Sequence, residues 1–110
     1  MKTPLTKEEK ARIPFVKNLI KKTGGYVTSD EICRIVNKHR PMSSELTGPR
    51  LRKMLHYARM NDKSTKSIII ASRLGYKYCS NKAEIQSYVY SLTERAAQII
   101  DLAKHISRVL

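Results

Sequence analysis

Residues 47–61 read TGPRLRKMLHYARMN, and the periodicity of this stretch decides how the rest of the chain is read. Leu51, Met54, Leu55 and Ala58 fall at i, i+3, i+4 and i+7, the spacing that lines one face of a 3.6-residue helix with apolar side chains. Such a stripe predicts burial against a core. The opposite side carries Pro49, Lys53, His56, Tyr57 and Met60, flanked by Arg50, Arg52 and Arg59, with no acidic residue among them. That surface offers cations, an imidazole and a phenol to an anionic partner. Thr47 is of a good N-cap type, Pro49 suits a first turn where its missing N–H has no helical acceptor, and Asn61 or Asp62 closes the run.

Upstream, residues 1–12 are polar and charged and read as a flexible basic tail, with at most one turn around Thr6 to Lys10. A first helix is predicted from Ile13, because Pro14 is easiest to place in a first turn and Ile13, Phe15, Val16, Leu19 and Ile20 form an apolar stripe. Gly24-Gly25 stops it, with Lys21 and Lys22 in the last turn where cations complement the helix dipole. Tyr26-Val27 is a strand stub. Thr28-Ser29-Asp30-Glu31 has the T-x-x-E spacing of a capping box and opens a second helix through Ile32, Cys33, Ile35 and Val36, closed before Pro41. The bridge to the basic helix is about eight residues, against roughly 3 to 4 in an ordinary helix-turn-helix.

Downstream, Ile68 to Ala71 is a β-branched run and Tyr76 to Cys79 alternates like a returning strand, with Ser72-Arg73-Leu74-Gly75 as the turn. Arg73 is then at the tip, and Lys77 points to the face opposite Tyr76 and Tyr78. Tyr76 and Tyr78 read as packing residues, whereas Tyr57, beside Lys53 on a polar face, is as well suited to a ligand.

The last segment begins with a second capping pattern, Asn81 to Glu84, and contains neither Gly nor Pro. Ile85, Leu92, Ile99 and Ile106 recur every seven residues, and Val89, Ala96, Ala103 and Leu110 recur in the complementary seam position. This is a coiled-coil pattern, and it predicts a dimer interface along residues 81–110. The rival arrangement, a helix folded back over the first helix, draws support from Tyr88, Leu102 and Val109, which widen the stripe.

Charge narrows the partner. The chain has 110 residues, 41% of them apolar, enough for one modest core. Its formal charge is +13, and residues 1–81 hold 18 Lys/Arg against 6 Asp/Glu whereas residues 82–110 hold 4 against 3. Concentrated positive charge suits a polyanion, because each neutralised phosphate releases condensed counterions. A membrane surface is disfavoured, since there is no Trp and only one Phe to anchor an interfacial helix. No apolar run approaches a membrane span of about 18 residues and no signal sequence is visible, so a cytoplasmic location is expected. Cys33 and Cys79 are expected to be reduced, packed as small apolar groups.

Catalytic chemistry finds no foothold. His39, His56 and His105 lie in separate elements without Cys, Asp or Glu at metal-ligand spacing, so neither a metal nor a cofactor is expected. Phosphate-loop, nucleophile-elbow and metalloprotease motifs are missing, and no carboxylate cluster suits a two-metal nuclease, so the chain is not expected to be an enzyme.

In order, these elements are a helix, a stub, a capped helix, a basic helix and a two-stranded hairpin, and that order resembles the winged helix-turn-helix DNA-binding domain. The layout of basic helix, IIIASRLGYKYCSN and long helix is similar to small bacterial and bacteriophage-borne winged-helix proteins. The resemblance spans roughly Ile13 to Cys79 and rests on element order. It implies a mainly α fold with a small β-hairpin, the domain occupying residues 13–80, followed by the long C-terminal helix. It also implies that the basic helix enters the major groove of double-stranded DNA and that the wing follows the backbone or minor groove. Arg50, Lys53, His56 and Tyr57 would then face base edges, with Arg50, Arg52, Lys53, Arg59, Arg73 and Lys77 available to phosphates. A dimeric transcriptional regulator in a bacterial or phage-infected cell is the expectation. The alternative is a replication or recombination accessory, or a phage protein that docks on a host or phage partner through its last helix.

Overall fold

Four helices and one hairpin follow one another as α1 (Lys7–Thr23), α2 (Ser29–His39), α3 (Gly48–Met60), β1 (Ile68–Ser72), β2 (Gly75–Cys79) and α4 (Lys82–Ser107). They are seen in a computed structural model that describes residues 4–110. The protein is mainly helical with a small antiparallel hairpin. Its chain divides into two compact units, Met1–Ser80 and Asn81–Leu110.

The first helix departs from the sequence reading. It begins at Lys7 rather than near Ile13, so the tail expected over residues 1–12 is helical from Lys7 onward, and residues 1–3 of it lie outside the described residues. The cause is a reciprocal cap: Thr6 Oγ1 accepts from the Glu9 N–H at 3.0 Å, and the Thr6 N–H donates to Glu9 Oε1 at 2.8 Å. Pro14 therefore sits inside the helix, where it removes the N–H that would have served the Lys10 carbonyl. Both Lys10 and Pro14 are exposed, so water can take up the vacated carbonyl. Gly24, in the left-handed region at φ 74°, ends the helix as expected.

The second helix starts at its expected Thr28 cap, but only half of the capping box forms. Thr28 Oγ1 accepts from the Glu31 N–H at 3.2 Å, while the Glu31 carboxylate turns forward to Arg34 at 2.8 Å. The bridge of residues 40–47 is held at several points. The Asn37 side chain exchanges two hydrogen bonds with the Leu46 backbone, at 2.8 and 3.1 Å. From α1, Arg12 donates to the carbonyls of Arg40 and Pro41, and Glu8 accepts from the Ser43 N–H.

One core cluster joins every element of the first unit: Val16 and Ile20 from α1, Val27, Ile32 and Val36, Leu46 from the bridge, Leu51, Met54 and Leu55 from α3, and Ile69 from β1. Each such side chain contributes about 1.5–3 kcal/mol of burial. The α3 stripe is thus buried as its spacing requires. Tyr76 and Tyr78 of β2 pack against the cluster, in line with their reading as packing residues.

The hairpin pairs Ile69 with Tyr78 and Ser72 with Gly75, leaving Arg73-Leu74 as its turn. Val27, the expected stub, joins β2 through two 2.8 Å backbone bonds with Tyr76, so β2 is flanked on both sides. Gly75 is indispensable to this arrangement. Its φ is +119°, and a Cβ there would lie 2.2 Å from the Val27 carbonyl oxygen.

The second unit is α4, capped by Asn81, whose side chain accepts from the Glu84 N–H at 3.0 Å. It stops at Ser107. Residues 108–110 form a tightened turn, so Leu110, expected in the seam, lies past the helical register. No residue of α4 is buried. Among the described residues no helix is long and apolar enough to cross a membrane.

Candidate nucleic-acid interface

The outer face of α3 is open because its inner face is fully spent on the core. Leu51, Met54, Leu55 and Ala58 are buried, and the side chains on the other side, Arg52, His56, Tyr57 and Met60, are exposed. Lys53 and Arg59 are half-buried at the edges of that face. Thr47 occupies the N-cap position with extended backbone, yet its side chain makes no cap bond. With no acidic residue in its first turn either, α3 presents its N-terminal amides and the positive end of its dipole uncompensated by its own carboxylates.

Arg50, expected at base edges, turns back to Glu9, with Nε 2.7 Å from Oε2 and Nη2 2.5 Å from Oε1, and donates a further bond to the Pro4 carbonyl at 3.1 Å. Glu9 is 6% exposed. The bidentate Arg50 contact, followed by the Thr6 N–H, holds the Glu9 carboxyl down at about 2 against the opposing effect of burial. The pair is a strut between the first turns of α1 and α3. Beside it Glu8, Glu9 and Glu45 line a pocket of about 350 Å³ with Thr6, Met42, Ser44 and Arg50, so the Arg50 end of α3 is bordered by carboxylates.

Lys10 is the residue that the sequence reading missed. Assigned to the tail, it is on α1 with its ammonium 5.4 Å from the centre of the Tyr57 ring. Tyr57 keeps 40% of its surface, so ring and cation are presented together. The signal was the T-x-x-E pattern at Thr6 to Glu9, which carries α1 far enough back to bring Lys10 beside α3.

At the hairpin, Arg73 is exposed at the tip, where the turn was expected to place it. It lines a pocket of about 290 Å³ with Ser72, Gly75, Tyr76 and the first residues of α2, Thr28, Ser29 and Asp30. Ser29 also faces the start of α3, since a Cβ on Gly48 would lie 3.5 Å from its Oγ. The α2 start therefore lies beside both the hairpin tip and the α3 start, with the acidic Asp30 lining the hairpin pocket. Lys77, expected among the DNA contacts, is half-buried, its ammonium 5.4 Å from the Tyr26 ring centre. Lys21 lies similarly over Tyr78, at 4.8 Å.

Cys79 is buried and Cys33 half-buried, with burial raising the Cys33 thiol pKa. Among the described residues no three His, Cys, Asp or Glu side chains gather as metal ligands would. On α4, Val89, Leu92, Ala96, Ile99, Ala103 and Ile106 are exposed and Ile85 is half-buried, and Leu110 beyond it is exposed as well. No protein-family model matches this chain, and comparison with curated proteins and with solved structures finds no match either.

Proposed function

We propose that this chain is a double-stranded DNA-binding protein of the winged helix-turn-helix class, acting as a dimeric transcriptional regulator. In this reading α3 enters the major groove, with Arg52, Lys53, His56 and Tyr57 toward base edges and phosphates, and Arg73 on the hairpin follows the backbone. Lys10 joins the contact surface and Arg50 leaves it. The observation that carries the reading is the exposed outer face of α3, cationic and without a carboxylate along Gly48–Met60, on a unit with 18 basic against 6 acidic residues. Non-specific duplex affinity follows from counterion release, and specificity from base-edge donors.

Titration of labelled random duplex and of the same single strand over a range of salt tests this. Duplex is bound at low salt with a steep salt dependence, and selection from a random pool yields a site preferred about a thousandfold or more. Absence of duplex affinity at low salt defeats the proposal.

The exposed apolar side chains of α4, Ile99 among them at 61%, favour self-association through that helix. They equally favour the second reading, an accessory factor that docks on another protein through α4 and uses DNA affinity only non-specifically. Selection that returns no preferred site supports that second reading.

A further inference from the structure

The seam of α4 is complementary to itself in one orientation only. Its seven seam positions within the helix alternate between a row of large residues (Ile85, Leu92, Ile99, Ile106) and a row of smaller ones (Val89, Ala96, Ala103). In heptad terms the large row is d and the small row a, the reverse of the pattern, β-branched a with Leu at d, that favours parallel dimers.

Parallel pairing stacks like on like. Ala96 would meet Ala96 and Ala103 would meet Ala103, between layers in which Leu92, Ile99 and Ile106 each meet their own copies. The thick layers would set the helix separation and leave the alanine layers unfilled, which close-packed interiors do not tolerate well. Antiparallel pairing places each row against the other. Leu92 then faces Ala103 of the second copy, Ile99 faces Ala96, and Ile106 faces Val89, so each of these three layers holds one larger and one smaller side chain. The flank agrees with this orientation, because Leu102 covers the stem of Arg95 of the second copy.

Charge makes the same choice. Residues 82–110 are almost balanced, with 4 basic against 3 acidic, whereas the preceding part of the chain holds 18 against 6. Side-by-side helix starts would bring the two strongly cationic units together at an interhelical spacing of about 8–10 Å, comparable to the physiological screening length of about 8 Å. Antiparallel helices start at opposite ends of the rod, about 45 Å apart at a rise of about 1.5 Å per residue.

We propose that α4 pairs with α4 of a second copy of this chain as an antiparallel two-helix coil, with Leu92 set against Ala103 and Ile99 against Ala96 across a two-fold axis. This rests on the self-association reading of α4 and adds its direction and register. The arrangement places the two helix starts, to which the cationic units are joined, at opposite ends of the rod.

The full-length chain is first tested by sedimentation. It then carries Leu92→Cys or Ala103→Cys and is oxidised mildly, singly and as an equimolar mixture, with linked peptides identified by mass spectrometry so that bonds to Cys33 or Cys79 are told apart. The expected result is a two-chain species, a 92–103 link in the mixture, and no 103–103 link in Ala103→Cys alone. A 103–103 link in a two-chain species overturns the orientation while sparing self-association. A monomer at all concentrations overturns both. Labels on Lys82→Cys provide a readout without seam substitutions: about 45 Å between them supports the antiparallel coil, and near contact refutes it.

Discussion

The Arg50 guanidinium grips the Glu9 carboxylate with two nitrogens, across 41 residues of chain, and ties the first turn of α1 to the first turn of α3. A residue read from the sequence as a DNA contact is thereby used to orient the helix that carries the other proposed contacts. Glu9→Ala is expected to cost about 1.5–3 kcal/mol, the range of charge-assisted hydrogen bonds, and Arg50→Ala is expected to destabilise as well, both read by urea denaturation. Glu9→Gln keeps the Thr6 cap in part and should cost less than Glu9→Ala.

The same pair sets an acid limit. Glu9 has its carboxyl lowered from 4.5 to about 2 in the folded chain, chiefly by the Arg50 hydrogen bonds. A depressed folded pKa gives stability that is complete above the unfolded value and is lost as pH falls through the folded one. Denaturation free energy should therefore decline between about pH 4.5 and about pH 2, and Arg50→Ala should flatten that decline.

Arg52 and Arg50 should separate in a salt titration, although they are neighbours in sequence. Arg52 is exposed on the outer face, and Arg52→Ala is expected to weaken duplex binding and to shallow the salt slope by about one. Arg50→Ala, compared under conditions where both variants are folded, should leave the slope unchanged. Equal slope changes for both substitutions would place Arg50 in the footprint.

Gly75→Ala should be among the most disruptive single changes. The residue combines φ +119° with an approach that puts a new Cβ 2.2 Å from the Val27 carbonyl, so backbone must move. Strain of this kind costs of order 1–3 kcal/mol before the steric clash is added. Gly24→Ala, with φ +74° and nothing within 4 Å, is the control and should lose less in thermal denaturation.

Asn37 fixes the long bridge by closing both hydrogen bonds of the buried Leu46 backbone. Asn37→Ala leaves those groups without their partner and should cost about 1–3 kcal/mol. Hydrogen exchange at the Leu46 amide should accelerate. Asn37→Asp retains an acceptor for that amide and should protect it better than alanine does.

Much of this fold is written locally. The 3.6-residue stripe of α3, the β-branched run before a Gly-bearing turn, and the stop at Gly24 are each decided by residues within one or two turns of themselves, and each is found where the sequence puts it. Side-chain partnership is decided elsewhere. Two T-x-x-E patterns look equivalent in sequence, yet Thr6 to Glu9 forms the full box, with Arg50 delivered to Glu9 from 41 residues away, while at Thr28 the Glu31 carboxylate is drawn to Arg34 on its own helix. The completed box at Thr6 carries α1 through Pro14, which the apolar stripe alone places at a helix start, and so brings Lys10 to Tyr57. Which faces are apolar and which are cationic is set within each segment, because periodicity is a short-range property. Only packing decided which cations remain on the surface, because a guanidinium pairs with whichever carboxylate the folded backbone holds within reach.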